Sequence, residues 1–347
     1  MNVYPRAKAA AWSGGLGSAL FATMVLAASV GSVAIDPVVV AKAMLNTVVV
    51  PTLSGWAHPF AFEVAQSSQV IVGRLRMPRI ALGAGVGFAL GTAGTVMQGF
   101  FRNPMADPSI IGVSTGAAVG AVAVIVFPFA IPFSLQWAAF LGALVAGFGV
   151  YLIANQGGRT PVATLLLAGV AVQTFLGAAI SFLMLFAGDS LQRAVYWLMG
   201  HLHNASWGKV GVVLTVSLPA FVLLFAYARD LNVLLLGEED AHALGIEVER
   251  TKVVLLALAS LVTAVAVSVA GVIGFVGLVV PHVMRLLVGP DHRVLLPTAA
   301  LAGAVFLVAT DTVARMGPAE LPVGIVTAAL GAPFFLYLLR EREVHEL

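Results

Sequence analysis

The chain has 347 residues, of which 60% are hydrophobic and only 10% are charged, against roughly 25% charged in ordinary soluble domains. Its mean hydropathy is +1.01 and its formal net charge at pH 7 is +2. A water-facing surface needs more charge than 18 basic and 16 acidic residues supply, which excludes a soluble globular protein. No basic run is dense enough to follow a nucleic-acid backbone. The lack of cysteine excludes disulfides and thiolate metal sites.

Ten stretches are apolar enough for membrane-spanning helices, which need about 20 residues each. In chain order they cover residues 14–35, 77–100, 109–130, 135–154, 162–187, 209–229, 252–272, 276–288, 294–314 and 323–340. The eighth is short and contains Gly277 and Pro281, which predicts a half-helix or a broken span packed on protein. The longest connection, 36–76, is predicted to hold an interfacial helix over 37–50. Residues 1–347 are thus predicted to form one all-α transmembrane domain.

The charges between the spans predict which ends face the cytoplasm. Ten spans place both termini on one side, and an N-terminus inside gives eleven basic residues inside against seven outside. This bias predicts cytoplasmic N- and C-termini. The cluster of Arg74, Arg76 and Arg79 on the predicted outer side is an exception that calls for a local reason.

Glycines within the spans indicate close helix packing. Gly83, Gly87 and Gly91 are four residues apart, and so are Gly116 and Gly120. This spacing lets helix backbones approach each other in a membrane.

The chain lacks the common motifs of catalytic chemistry. No Gly-x-x-x-x-Gly-Lys-[Ser/Thr] phosphate loop is present, so we expect no ATPase site and no enzymatic activity. His201 and His203 lie two apart in a predicted outer loop, a pattern more typical of solvated side chains than of a metal site. The sequence predicts no metal and no cofactor bound by this chain.

Asp311 is the one acidic residue that we place well inside a span. It can pair with Arg315, four residues further on the same helical face. A proton-driven carrier usually contains several buried carboxylates, and these are missing here. The energy for transport is therefore expected from a partner. The alternative is an ion-coupled secondary transporter that uses Asp311.

Three polar stretches interrupt the spans. Residues 102–108 contain Asn-Pro and Asp-Pro pairs, which predict a tight turn on the inner side. The inner loop 231–252 contains acidic residues that favour the first turn of a short helix, ended by Gly245. That helix is either a docking site for a cytoplasmic partner or a solvated connector. Residues 271–282 contain three evenly spaced glycines before a proline, which predicts a broken element paired with 94–108 in an inverted repeat.

Several ordered motifs between Arg74 and Leu339 carry a family resemblance. They are Arg76-Met77-Pro78-Arg79, Met97-Gln98-Gly99, residues 102–108, Ile111-Gly112, Gly116-Ala117, residues 165–169, Trp197-x-x-Gly200, residues 277–282 with Arg285, and residues 320–327. Together they resemble the FecCD permease family.

The resemblance implies a fold, a membrane and partners. Family members are ten-helix permease subunits of type II ABC importers in bacterial inner membranes, which carry iron–siderophore complexes, haem or cobalamin. Two permease subunits, expected here as a homodimer, surround one path across the lipid bilayer. Two cytoplasmic ATPase subunits bind the ATP, and a periplasmic binding protein delivers the substrate.

The resemblance also assigns roles to residues of this sequence. The arginines that meet glutamates of the binding protein match Arg76, Arg79 and Arg315. The coupling helix that inserts into the ATPase subunit matches Glu238, Glu239, Asp240, Ala241, Leu244 and Gly245. The inner gate matches Asn103, Pro104 and Met105, together with Val162 and Ala163 at the start of the fifth span.

The predicted translocation path is lined by apolar and amide groups. We expect Met97, Gln98 and Gln173 to contribute to it and to bind a large substrate weakly. The sequence leaves the substrate open among an iron–siderophore complex, haem and cobalamin, although His201 and His203 near the outer mouth incline the choice towards haem.

Overall fold

The computed structural model describes residues 4–31, 33–52, 55–128, 134–317 and 319–345, which form an almost entirely α-helical bundle. In this part of the chain, seven helical segments are long and apolar enough to cross a membrane. Three shorter apolar helices, Val113–Val126, Val276–Val288 and Val323–Tyr337, coincide with the third, eighth and tenth predicted spans. The predicted all-α membrane fold with about ten spans is confirmed. The first helix begins earlier than predicted, since its alanine-rich start favours helix.

The helices are numbered here in chain order. They are α1 (Tyr4–Ser29), α2 (Pro37–Asn46), α3 (Gln66–Val70), α4 (Met77–Phe100), α5 (Val113–Val126), α6 (Ser134–Ala154), α7 (Val162–Met184), α8 (Leu191–Leu198), α9 (Trp207–Ala226), α10 (Ala228–Leu234), α11 (Glu238–Ala243), α12 (Val248–Ala270), α13 (Val276–Val288), α14 (His292–Ala314) and α15 (Val323–His345). A π-helical turn, Ile71–Arg76, joins α3 to α4, and 3₁₀ turns cover Pro108–Ile111 and Gly188–Ser190.

Helix α4 lies at the centre of the bundle, and most of its residues are buried. It packs antiparallel to α14, with Gly87 facing Gly303 and Gly91 facing Ala299. A Cβ atom on Gly87 would overlap the carbonyl oxygen of Gly303, so the close approach requires glycine there. The predicted role of the four-residue glycine spacing is confirmed.

The same packing mode joins α5 to α6. Gly116 faces Gly142, and Gly120 faces Ala138, each with a backbone carbonyl where a Cβ atom would lie. These small residues bring two apolar helices into backbone contact where lipid offers no hydrophobic driving force.

Two interrupted segments meet inside the bundle. The chain leaves α4, forms the 3₁₀ turn at Pro108 and enters α5, while the extended residues after α12 lead into α13. Gly277, at the start of α13, packs against Pro108 and against the backbone of α4 at Gly94. Because Gly94 lies well inside α4, α13 starts within the bundle. The predicted half-helix is confirmed, and the two broken regions that we paired as a repeat are in contact.

Smaller elements cover one end of the bundle. Asp36 accepts a hydrogen bond of 2.7 Å from the Val38 amide and so caps α2, the interfacial helix predicted over 37–50. Two short antiparallel strands, β1 (Val50–Thr52) and β2 (Gly55–Ala57), follow it. A separate apolar cluster joins α1 and α2 to the beginning of α4.

Candidate functional site

Helix α4 defines two ends of the bundle with different polar groups. Its first turn carries Arg79, which contacts Asp311 near the end of α14. Its last turn lies beside His292, at the start of α14, and Arg102, two residues after α4, lies near Gly237 ahead of α11. We call these the Arg79 end and the α11 end. Helix α1 finishes at the Arg79 end and α15 starts there, so the first residues of α1 and the last residues of α15 lie towards the α11 end.

An ion-pair network occupies the Arg79 end. Arg79 Nη2 lies 2.9 Å from Asp311 Oδ1, and its Nε also donates to both carboxylate oxygens. Arg315 Nε lies 3.1 Å from Asp311 Oδ2, which confirms the pair predicted from the four-residue spacing. The Asp311 side chain is only 3% exposed. Two guanidinium groups therefore balance one buried carboxylate, and no chain of buried acids leads away from it among the described residues.

The network continues to the surface through Glu320. Arg79 Nη1 lies 3.0 Å from Glu320 Oε2, and His203 Nδ1 lies 3.3 Å from the same oxygen. The hydrogen bond from Arg79 lowers the pKa of Glu320, so this half-exposed carboxylate is ionised near neutral pH. Tyr196 stacks on His203, with ring centroids 5.3 Å apart, and contacts His201 in a tilted arrangement at 5.2 Å.

Burial lowers the pKa of His201 to about 4, so this imidazole is neutral near pH 7. Its backbone amide donates to the carbonyl of Ala270 at 2.7 Å, which attaches the loop to the end of α12. The two histidines are thus parts of a packed aromatic cluster with Tyr196. Groups of three or more metal-ligating side chains are lacking in the described part of the chain.

Arg76 is bonded within the subunit in a different way. Its guanidinium donates to the backbone carbonyls of Ala28 and Val33, at the end of α1 and just after it. The three arginines predicted to dock a binding protein therefore lie at one end, but each also has an internal partner. Arg74, in the same π-helical turn, is exposed to solvent.

At the other end, α11 forms the short helix that the sequence predicted. Ala241 is fully buried against the bundle, whereas Leu244 is 63% exposed directly after the helix. Glu239 and Asp240 are also exposed. Gly245 adopts a φ of +84°, the left-handed conformation that ends helices and that glycine tolerates best. The loop thus exposes Leu244 beside the acidic residues Glu239 and Asp240, and Leu236, two residues before α11, is also 63% exposed.

A nearly buried lysine fixes α11 to the rest of the bundle. Lys252 Nζ lies 3.2 Å from Glu238 Oε1, in α11, and 3.0 Å from Glu249 Oε1, in α12. The second carboxylate oxygen of Glu249 accepts a hydrogen bond of 3.1 Å from the Thr160 amide, two residues before α7. A continuous chain of polar contacts therefore runs from α11 to the beginning of α7.

The predicted gate residues occupy two places at the α11 end. Asn103 Oδ1 accepts a hydrogen bond of 2.9 Å from the Met105 amide, which folds residues 102–106 into the predicted turn. Asn103 is exposed, and Pro104 and Met105 are half-buried. Val162 begins α7 and is half-buried, and Ala163 is exposed.

Two of the three predicted path residues lie elsewhere than expected. Met97 and Gln98 have 0% and 1% exposure, because α4 is enclosed by its neighbours, so they line no open path in this structure. Gln98 instead joins α4 to α13: its Nε2 donates to the Leu278 carbonyl at 2.9 Å, and its Oε1 accepts from Arg285. Gln173 is half-buried on α7 and donates to the Ile110 carbonyl at 2.7 Å.

Comparison with known proteins decides the family. The model of the FecCD transport family matches residues 19–341. The chain belongs to this family. It is 55% identical, over 98% of this chain and 99% of the relative, to the cobalamin import system permease protein BtuC of Halobacterium salinarum. It is 45% identical, over 78% of this chain and 83% of the relative, to the hemin transport system permease protein HmuU of Yersinia pestis.

The solved structures agree with this assignment. A metal-chelate type ABC transporter in an inward-facing conformation superposes with a TM-score of 0.79 and 31% identity, covering 95% of this chain and 98% of that chain. The FecCD chain described here is therefore a multi-pass membrane permease of the ABC importer type.

Several contacts of this FecCD permease could not be found by sequence reasoning. Glu320 and Lys252 make central ion pairs, yet the sequence showed only a family motif and a charged loop around them. Arg285 was recognised only as part of a motif, and its bond to Gln98 spans 187 positions. No spacing rule reports such remote pairs, whereas the four-residue pair of Asp311 and Arg315 follows from helix geometry.

Proposed function

We propose that this FecCD permease forms the membrane path of an importer for cobalamin, as a homodimer with two separate ATPase subunits and an external binding protein. The observation that carries the choice of substrate is the 55% identity to a cobalamin permease across nearly the whole length of both chains. Cobalamin is also one of the three substrates that the motifs imply.

Haem is the second candidate, supported by the relative named for hemin transport. The sequence inclined towards haem because of His201 and His203. Both rings are engaged by Tyr196, and His203 also bonds Glu320, so neither imidazole is presented as a free ligand. This arrangement favours cobalamin over haem.

The proposed orientation places the α11 end in the cytoplasm and the Arg79 end outside, in the cytoplasmic membrane of the cell. The positive-inside bias of eleven to seven supports it. The start of α1 and the end of α15 lie towards the α11 end, so this orientation makes the N- and C-termini cytoplasmic.

In the proposed mechanism, carboxylates of the loaded binding protein dock on the arginines of the Arg79 end. Arg79 and Arg315 are 15% and 13% exposed, so each has an edge that an incoming carboxylate can reach. Asp311, their shared buried partner, holds these two guanidinium groups in place before docking. Arg76 extends the positive surface towards α1 and α2.

ATP binding then closes the ATPase pair, which holds Leu244 and the acidic face of α11 in its cleft. The movement reaches α7 through the contacts of Lys252, Glu249 and Thr160. Val162 and Ala163 at the start of α7 act with Asn103 and Met105 as the inner gate. Gln173, further along α7, lies on the path. The substrate crosses without chemical change, so this chain needs no catalytic group and no cofactor of its own.

The proposal is tested by substrate uptake into proteoliposomes that contain the permease, its ATPase subunits and its binding protein. We expect ATP-dependent uptake of radiolabelled cobalamin that excess unlabelled cobalamin suppresses and excess haem leaves unchanged. ATP-dependent uptake of haem or of an iron–siderophore complex, without cobalamin uptake, would refute cobalamin as the substrate but would still support an ATP-driven importer. Uptake driven by an ion gradient without ATP would refute the importer.

A further inference from the structure

An apolar groove of about 380 Å³ opens on the side of the bundle between α6, α9 and α12. Its wall consists mainly of Phe140, Val212, Val216, Val265 and Val269. These residues belong to three of the membrane-spanning helices, so the groove faces the interior of the bilayer. Its shape and lining suit a hydrocarbon chain.

One cation lies at the mouth of this groove. Lys209, in the first turn of α9, lines it together with Gln136 at the start of α6. Among the residues that the structure describes, no carboxylate lies within ion-pair distance of the Lys209 ammonium group. Burial and, to a smaller extent, the charge of Lys209 lower the pKa of the neighbouring His201, so this imidazole is neutral near pH 7 and Lys209 carries the positive charge here. The positive charge is thus available to an outside anion.

Two tryptophans mark the depth at which this charge lies. Trp137, at the start of α6, is 59% exposed, and Trp207, at the start of α9, is 49% exposed. Tryptophan is enriched at the headgroup level of membranes, and lysine near a helix end extends its ammonium group to the same level. Lys209 therefore lies where lipid headgroups are, directly above a groove that suits their acyl chains.

We propose that this groove binds an anionic phospholipid in the leaflet at the Arg79 end, with its phosphate on Lys209 and an acyl chain between α6, α9 and α12. Charge complementarity selects the anionic headgroup, because a zwitterionic lipid brings a cation of its own next to Lys209. The proposal depends on the membrane-spanning fold alone and is independent of the substrate.

The test uses quenching of tryptophan fluorescence by lipids with brominated acyl chains. The full chain, with Trp12, Trp56 and Trp207 changed to phenylalanine, is reconstituted in brominated phosphatidylglycerol or brominated phosphatidylcholine. Trp137 then reports on the groove, since the remaining Trp197 is 4% exposed. We expect phosphatidylglycerol to associate about fivefold more strongly, the factor given by ~1 kcal/mol per basic residue at an anionic surface.

The matched variants separate this site from general attraction to the surface. Lys209→Gln is expected to remove the preference for phosphatidylglycerol. Arg193→Gln is expected to keep it, because Arg193, on α8, is an exposed cation that does not line the groove and bonds only Ser190 among the described residues. Equal association of the two lipids, or a preference that survives Lys209→Gln, would overturn the proposal. Loss of the preference in inorganic phosphate at constant ionic strength would show a site for free anions instead.

A second measurement covers the case in which the tryptophan changes prevent folding. Native mass spectrometry of the otherwise unaltered chain, purified from membranes with mixed lipids, counts the phosphatidylglycerol molecules retained. We expect one fewer in Lys209→Gln than in Arg193→Gln. The same number in both variants contradicts the proposal.

Discussion

Arg79 and Asp311 lie 232 positions apart in the sequence and form a two-pronged ion pair, with 2.9 Å between Arg79 Nη2 and Asp311 Oδ1. The pair joins the first turn of α4 to the last turn of α14, where those antiparallel helices leave their glycine contact. Arg315, the residue directly after α14, contacts the same carboxylate, and Glu320 contacts the other side of the Arg79 guanidinium. This pair therefore fixes the geometry of the proposed docking surface.

Replacing Asp311 by alanine is expected to destabilise the bundle strongly. It leaves Arg79 and Arg315 partly buried without their shared counter-ion, and breaking a buried pair in this way costs about 3–5 kcal/mol. Asp311→Asn is expected to lose less, because the amide oxygen still accepts a hydrogen bond. Thermal unfolding in detergent measures both effects.

Asp189→Ala is the matched control, since Asp189 is exposed in a 3₁₀ turn and its loss is expected within about 0.5 kcal/mol. Equal unfolding temperatures for Asp311→Ala and Asp189→Ala contradict the structural role. The same variants test the ion-coupled alternative: an Asp311→Asn protein that retains ATP-driven uptake is incompatible with Asp311 as the coupling group.

Lys252→Met is expected to uncouple ATP hydrolysis from transport. The change keeps the length of the side chain but removes the contacts that join Glu238 in α11 to Glu249 in α12. We expect uptake to fall about 5- to 150-fold, the range of typical coupling energies, while ATP hydrolysis by the assembled importer continues. Arg250→Met serves as the control, because Arg250 is 75% exposed and pairs only with Glu247 among the described residues. Unchanged uptake by Lys252→Met refutes the role of this link.

Glu320→Gln is expected to tighten docking of the binding protein. Glu320 occupies Arg79 Nη1 at 3.0 Å, the group that an incoming carboxylate needs under the proposed function. Removing this competitor, which is itself half-exposed, is expected to raise affinity by up to about fivefold, since exposed pairs contribute ~0.2–1 kcal/mol. Surface plasmon resonance with the immobilised permease measures the change. Glu247→Gln is the control, because it removes a similar exposed pair at the α11 end and is expected to leave the affinity unaltered. Weaker docking by Glu320→Gln would contradict the proposal that Glu320 competes with the binding protein for Arg79.

The cap of α14 gives a pH-dependent contribution to stability. Hydrogen bonds from Arg293 lower the pKa of Asp291 to about 2, and Asn232 donates to the same carboxylate at 2.7 Å. Because the pKa is lower in the folded state than its ordinary value of 3.8, the stabilisation is complete above about pH 4 and is lost as pH falls towards 2.

Thermal unfolding of the wild-type chain and of Asp291→Ala across this range measures the effect. The difference in unfolding free energy is expected to be about 1 kcal/mol near pH 7 and to shrink below pH 4. A difference that stays constant down to pH 2 shows that the charge of Asp291 contributes nothing.

The sequence predicted those features of the fold that depend on local spacing. The glycines of α4 predicted close packing, and Gly277 with Pro281 predicted the half-helix α13; both are confirmed. The spacing could not identify Gly303 as the partner of Gly87, because one helix records only its own packing face. For the same reason the pair of Arg79 and Asp311 was not foreseen.

The environment of α4 explains why Met97 and Gln98 do not line the open path that the sequence had predicted. An amide beside a methionine in a membrane helix suits a path lining, and this led to the prediction for Met97 and Gln98. In the structure α4 is surrounded by other helices. Gln98 therefore forms hydrogen bonds with Leu278 and Arg285 of α13 and has almost no surface that a substrate could contact. How many neighbours enclose a helix is a property of the whole bundle, which local composition does not report.

The most direct test of the account is purification of the tagged chain from its native membrane in mild detergent, with quantitative mass spectrometry of the retained proteins. We expect an ATPase subunit in equal amount, lost in Leu244→Ala and retained in Leu185→Ala, which changes a leucine of similar exposure outside the α11 loop. A chain that purifies alone and still moves substrate into vesicles without ATP would contradict both the proposed importer function and the proposed docking of an ATPase subunit at α11.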